Sequence, residues 1–187
     1  MKKLLLVVGL LVMGTLVVTA QSPEFGLKAG LNVATVKVSN GTDISSRTGY
    51  HIGGLAHIHV APNWAVQPEL VFSTQGGKQN EVTIRENYLN VPILVQYMTN
   101  TGFRLETGPQ VGFLLSADHK NGKIVEDVKD QMTAADLSWA LGASYLCKSG
   151  VGFDARYNFG LTNINTISSP EAKNMVFQVG VFYQFNH

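Results

Sequence analysis

From Phe25 to Phe185 the chain repeats one pattern, an apolar residue at every second position with polar or small residues between. The last two segments carry it most plainly. Val151, Phe153, Ala155, Tyr157, Phe159 and Leu161 alternate with Gly152, Asp154, Arg156, Asn158, Gly160 and Thr162. Met175, Phe177, Val179, Val181, Tyr183 and Phe185 alternate with Asn174, Val176, Gln178, Gly180, Phe182 and Gln184. A period of two sends successive side chains to opposite faces of an extended strand, where a helix needs a period near 3.6. So apolar a face is either a soluble core or a wall against lipid, and the rest of the chain has to decide which.

The same alternation predicts strands over 25–36, 49–60, 64–75, 86–99, 103–116 and 136–148, which with the two above makes eight. The connections alternate in length. Residues 37–48, 76–85, 117–135 and 163–173 are long; Ala61-Pro62-Asn63, Asn100-Thr101-Gly102 and Ser149-Gly150 are short. Asn40-Gly41 and Gly76-Gly77 are turn signals in the long set, and Val125–Ala135 suits a short helix. A random meander has no reason to alternate this way. A transmembrane barrel does, having short turns at one rim and long loops at the other. The strands also meet the roughly 9–11 residues that a tilted strand needs to cross a bilayer. The fold class expected is therefore all-β, an eight-stranded antiparallel up-and-down transmembrane β-barrel following an N-terminal signal peptide.

Composition fits a lipid-facing wall better than a soluble barrel. Charged residues are 14% of the chain, against roughly 25% in ordinary soluble domains. The polar faces hold Gly, Ser, Asn and Gln rather than the Lys and Glu of a wetted surface. Aromatic residues of the apolar faces gather near the strand ends: Tyr50, Phe72, Trp139, Phe159 and Phe177 toward the long loops, and Phe25, Trp64, Tyr97, Phe103, Tyr145, Phe153, Tyr183 and Phe185 toward the short turns. Two such girdles mark the interfaces of a membrane-embedded band. The inward charges, Lys28, Glu69, Arg104, Glu106, Lys148, Asp154 and Arg156, then need partners. Arg104/Glu106 and Asp154/Arg156 lie two apart on one face and are expected to pair. The expectation is a salt-bridged network filling the lumen, since eight strands enclose room for little besides side chains; a narrow ion path is the alternative.

Residues 1–20 read as a secretory signal peptide, with Lys2 and Lys3 ahead of an apolar run from Leu4 to Val18 and small residues Val18 and Ala20 before a mature start at Gln21. The apolar run is short of the ~20 residues of a spanning helix. Residues 21–187 are then the barrel domain. Without Lys2 and Lys3 there remain 12 basic against 13 acidic residues, so no basic field exists to attract nucleic acid. The single cysteine, Cys147, excludes an internal disulfide and reads as an apolar strand residue.

Several stretches, Gly26–Asn32, Tyr88-Leu-Asn-Val-Pro-Ile-Leu94, Gly108–Leu115 and Arg156-Tyr-Asn-Phe-Gly-Leu-Thr-Asn163, resemble the outer-membrane β-barrel domain family of porin-like proteins, the group that includes PorT-type proteins. The resemblance spans nearly the whole mature chain and implies an eight-stranded barrel in the outer membrane of a Gram-negative-type envelope. It supplies no catalytic residues. Val181, Tyr183 and Phe185 resemble the C-terminal signal read by the barrel-insertion machinery, although Asn186 and His187 follow.

Other chemistry finds little support. His51, His57 and His59 share a strand face, and a metal site built on them needs a third ligand that the sequence does not indicate; they read as inward polar filler. His51 and Asp118-His119 are the raw material for a rim hydrolase, with nothing to link them. No phosphate loop, dinucleotide fingerprint or zinc spacing is present, so neither cofactor nor enzymatic activity is expected. The function expected is a non-catalytic, structural or interaction role. Its partners would be outer-membrane lipid, the insertion machinery and an extracellular protein or glycan meeting the long loops. The alternative is a small porin-like channel or a component of a transport or secretion apparatus.

Overall fold

The computed structural model describes residues 22–39, 44–79, 82–121, 124–129, 132–164 and 172–185. The leader (1–20), Gln21 and the Asn40-Gly41 turn lie outside them. Among the described residues there are nine strands: β1 (Glu24–Val38), β2 (Ser45–Ala61), β3 (Trp64–Gln79), β4 (Val82–Met98), β5 (Phe103–Asn121), β6 (Ile124–Asp127), β7 (Ala135–Leu146), β8 (Val151–Gly160) and β9 (Ala172–Gln184). Each pairs antiparallel with its neighbour, β5 pairs past β6 with β7, and β9 returns to β1 from Gly26–Gln184 to Val38–Ala172. The result is a closed ring of eight strands, with β6 as an extra strand on the edge of β5 above the ring. Closure removes every sheet edge from the wall, which is what allows strands to stand in lipid with their backbone groups paired.

The alternation of the sequence becomes inside and outside. On β8 every second residue from Val151 is exposed and every residue between is buried. The exposed set around the ring is apolar, including Leu27, Leu31, Ile52, Leu70, Ile93, Leu105, Leu141, Phe153 and Val179. A continuous apolar exterior of this size on a closed barrel is the signature of a lipid-facing band. Trp64 and Tyr97 pack edge-to-face at one end, with centroids 5.1 Å apart, and Tyr50 approaches Phe72 at the other. Among the described residues no helix is long and apolar enough to cross a membrane.

Proline shapes the ladders. The β2–β3 pairing passes from Leu55–Glu69 to Ile58–Val66, skipping Pro68, which has no N–H to offer. At the short-turn end, Gly102 and Gly150 take φ values of 94° and 84°, in the left-handed region open to glycine. The turn before β8 is closed by Gly150 N–H to Cys147 O (3.1 Å) and Cys147 N–H to Val151 O (2.8 Å).

The long-loop end differs from the expectation. β3 and β4 run on to Gln79 and Val82 and β5 to Asn121, so Gly76-Gly77 lies inside a strand. Gly76 has φ 121° near the point where the β2–β3 register shifts, so the glycine serves a bulge and not a loop. Ile124–Asp127 folds back on Asp118–Asn121 as β6, and the helix expected from Val125 does not form at these residues. A hairpin that extends ladders already begun costs no new nucleus, whereas a one-turn helix must nucleate alone. Val128 then tucks against Tyr88, Leu114 and Ala117 in a small apolar cluster above the belt, and Ile164, Val36 and Ala172 form a second.

Candidate functional site in the barrel lumen

Inward positions of β1, β3, β5 and β8 bring five charged side chains together. β3 and β8 stand opposite each other in the ring, and Arg156 of β8 reaches across to Glu69 of β3. Its Nη1 and Nη2 donate to Glu69 Oε2 and Oε1 at 3.0 and 2.9 Å, and its Nε donates to Glu106 Oε1 at 2.9 Å. Lys28 Nζ lies 3.3 Å from Glu69 Oε2 and 3.4 Å from Asp154 Oδ2. Neutral amides complete the carboxylates: Gln67 Nε2 donates to Glu69 at 2.8 Å and Gln96 Nε2 to Glu106 at 2.9 Å. Arg104 donates to Gln184 Oε1 at 3.1 Å, and Gln184 in turn donates to Glu24. Lys28, Arg104 and Arg156 balance Glu69, Glu106 and Asp154 charge for charge, and all six are buried.

The pairs are not those expected within a strand. Arg104 does not ion-pair with Glu106, and Asp154 bridges to Lys28 while Arg156 bridges to the two glutamates. Residues two apart on a strand stand about 6.6 Å apart with parallel side chains, whereas side chains from facing walls converge in a narrow lumen. Lys148 does not enter the lumen; it is exposed in the turn between β7 and β8.

Above the charges lies a neutral layer. Asn32 Nδ2 donates to Ser73 Oγ (2.9 Å), Asn32 Oδ1 meets His51 Nδ1 (2.7 Å) and accepts from Gln178 Nε2 (3.0 Å), and Asn158 donates to Gln178 (3.0 Å). Higher still, Asn174 Nδ2 donates to Glu86 Oε2 at 3.2 Å beside Tyr88. These amides belong to the Asn and Gln set of the polar faces, each at an inward position of the period-two pattern; the spacing along a strand does not say which partner each one meets across the lumen. At the short-turn end Phe182 turns inward and covers Gly152, its ladder partner, so closely that a Cβ there would collide with the ring. An aromatic ring laid on a strand glycine shields backbone that the glycine leaves bare.

The histidines separate. His51 is bound into the Asn32 layer. His57 and His59 stack edge-on 4.7 Å apart near the short-turn mouth, and Glu24 joins them. Asp118 and His119 lie on the β5 extension opposite Asp127 and Glu126, apart from His51. Val181, Tyr183 and Phe185 are exposed on the outer wall, with the Tyr183 and Phe185 rings 5.3 Å apart.

A closed ring with a lipid-type exterior and a polar packed interior defines a small outer-membrane barrel. The outer membrane protein beta-barrel domain family matches residues 19–165, and the chain belongs to that family. In structure it is similar to Neisserial surface protein A, at 16% identity over 89% of this chain and 99% of that one, with TM-score 0.63. It is also similar to Ail, the attachment invasion locus protein of Yersinia pestis, at 16% identity over 88% of this chain and all of that one (100%), with TM-score 0.58. No curated protein sequence matches. Family and fold together place the protein in the outer membrane.

Proposed function

We propose that this protein is a non-catalytic outer-membrane barrel whose lumen is a structural plug and whose long-loop rim meets an extracellular protein or glycan. The observation that carries the reading is the Arg156–Glu69 fork, which spans the full width of the ring. A guanidinium held bidentately by a carboxylate and monodentately by a second one has little freedom to move aside for ions. Residues 1–20 would direct export and be removed before Gln21, and Val181, Tyr183 and Phe185 would be read by the insertion machinery. One structure of Ail is a complex with the heparin analogue sucrose octasulfate, which makes sulfated glycans a reasonable first probe for the rim of this barrel.

The second reading, a small channel or part of a secretion apparatus, draws on buried polar atoms without hydrogen-bond partners, such as His51 Nε2, Asp154 Oδ1 and Asn158 Oδ1. Buried polar atoms of this kind are sites for water. Planar-bilayer recording separates the two. The plug reading expects no stable conductance steps from the purified protein; reproducible steps that vanish when the protein is omitted would sink it.

A further inference from the structure

The short-turn mouth holds a cluster that the plug does not use. Glu24 opens β1 and stands directly opposite His57 in the β1–β2 ladder, and His59 is the next residue on the same face of β2. Their ligand atoms, two imidazole nitrogens and a carboxylate oxygen, lie within 4.8 Å of one another. His57 is fully buried, while Glu24 and His59 are half-buried and open toward the rim.

The hydrogen bonds around His57 determine which of its nitrogens is available. Glu69, held by Arg156 and Lys28, is an acceptor only, so Gln67 turns its Nε2 to Glu69 Oε1 (2.8 Å). Gln67 Oε1 therefore faces His57, 3.3 Å from Nδ1. An amide oxygen can only accept, so this contact is made with a proton on His57 Nδ1, the tautomer that leaves Nε2 as the ligating nitrogen; Gln96, whose own Nε2 goes to Glu106 (2.9 Å), competes for the ring with its oxygen. His57 Nε2 is buried and has no hydrogen-bond partner. A histidine held at one nitrogen by an oxygen offers the other to a metal, and a dication at the cluster would take the His57 ring from Gln96.

We propose that Glu24, His57 and His59 form a binding site for a zinc-class divalent transition metal at the short-turn mouth of the barrel. Two imidazoles and one carboxylate are a borderline-soft donor set that favours zinc, cobalt, nickel or copper over magnesium and calcium. Three protein ligands leave a fourth position for water. Tetrahedral coordination at bonds of about 2.0–2.1 Å puts ligand atoms roughly 3.3 Å apart, so the cluster must tighten, and the half-buried Glu24 and His59 are the side chains free to do it. Arg104 bears on the site through Gln184, which donates to Glu24; a bound dication would draw Glu24 away from that bridge.

The test uses the full protein in detergent, without a polyhistidine tag, titrated with Co²⁺ for its visible absorption and with Zn²⁺ against a chromogenic chelator. The expected result is one ion per barrel with the intense absorption of tetrahedral cobalt. Glu24→Gln and His59→Ala should each weaken binding at least about 100-fold, beyond the ~10–100-fold usual for outer partners of a ligand. Both should keep the gel mobility of the folded barrel, and His51→Gln, a buried histidine outside the cluster, should bind as the parent does. The proposal falls if the parent takes up no stoichiometric ion, if Glu24→Gln and His59→Ala bind undiminished, or if His51→Gln loses as much as they do.

Discussion

Arg156 is the hub of the lumen's charged layer. Its guanidinium satisfies Glu69 and Glu106 together, and removing it leaves two carboxylates buried with only Lys28 and two amides as donors. Breaking a buried ion pair from one side typically costs about 3–5 kcal/mol, chiefly through the stranded charge. Arg156→Gln should therefore lower the unfolding free energy in detergent by roughly that amount, and Arg156→Gln combined with Glu69→Gln should cost less than Arg156→Gln alone. A cost for the double variant equal to or above the single one would mean that Glu69 does not depend on Arg156. A second residue-scale prediction concerns shape. Gly152→Val drives a side chain into the Phe182 ring, an overpacking cost of about 1–3 kcal/mol. The same change made on a Phe182→Ala background should recover most of it, read as a double-mutant cycle from denaturant midpoints. The inward placement of these charges was legible as every-second-residue spacing. Their partners were not, because spacing along one strand says nothing about which strand stands across the ring.

At the scale of the strand, the period-two pattern located all eight walls and the face each turns outward. It failed where the belt ends. Gly76-Gly77-Lys78-Gln79 and Val82-Thr83-Ile84-Arg85 pair residue for residue in the β3–β4 ladder, yet the first has no apolar side chain and the second alternates over only four residues, without the buried-exposed contrast of the membrane stretch. Above the belt both faces of a strand are wetted or packed locally, so the alternation that announces a strand in lipid fades although the ladder continues. The third member of the Glu24–His57–His59 cluster escaped for a related reason, since it is brought in by β1–β2 register. Depth along a strand has a measurable consequence. Leu141, on the outer face of β7 between Trp139 and Tyr145, is 57% exposed, and Ile124 on β6 is 72% exposed. In water the two would tolerate Arg alike. In a bilayer Leu141→Arg should cost about 2–4 kcal/mol, as for an arginine near the midplane, and Ile124→Arg about 0–1. Unfolding titrations in liposomes give both numbers, and equal costs would argue against a lipid-facing β7.

For the whole molecule the decisive contact is between its two ends. The ring cannot close until β9, the last strand made, pairs with β1, the first, and Phe185 N–H extends that seam by donating to Phe25 O at 2.7 Å. The residues offered as an insertion signal thus sit at the strand whose docking completes the barrel. The signal is a matter of recognition and the seam a matter of backbone pairing, and substitution of side chains alone distinguishes them. Tyr183→Ala with Phe185→Ala keeps every backbone bond of the seam but removes the exposed ring pair. Trp64→Ala with Tyr97→Ala removes a comparable ring pair from the same girdle on β3 and β4. If Tyr183 and Phe185 are read by the insertion machinery, their double variant should insert slowly and in low yield into vesicles carrying that machinery, yet refold in plain detergent to the parent's heat-modifiable form. The Trp64/Tyr97 variant should insert at the parent's rate. Equal slowing of both pairs would reduce the C-terminal aromatics to ordinary members of the girdle, whereas slowing of the first pair alone separates recognition from lipid anchoring.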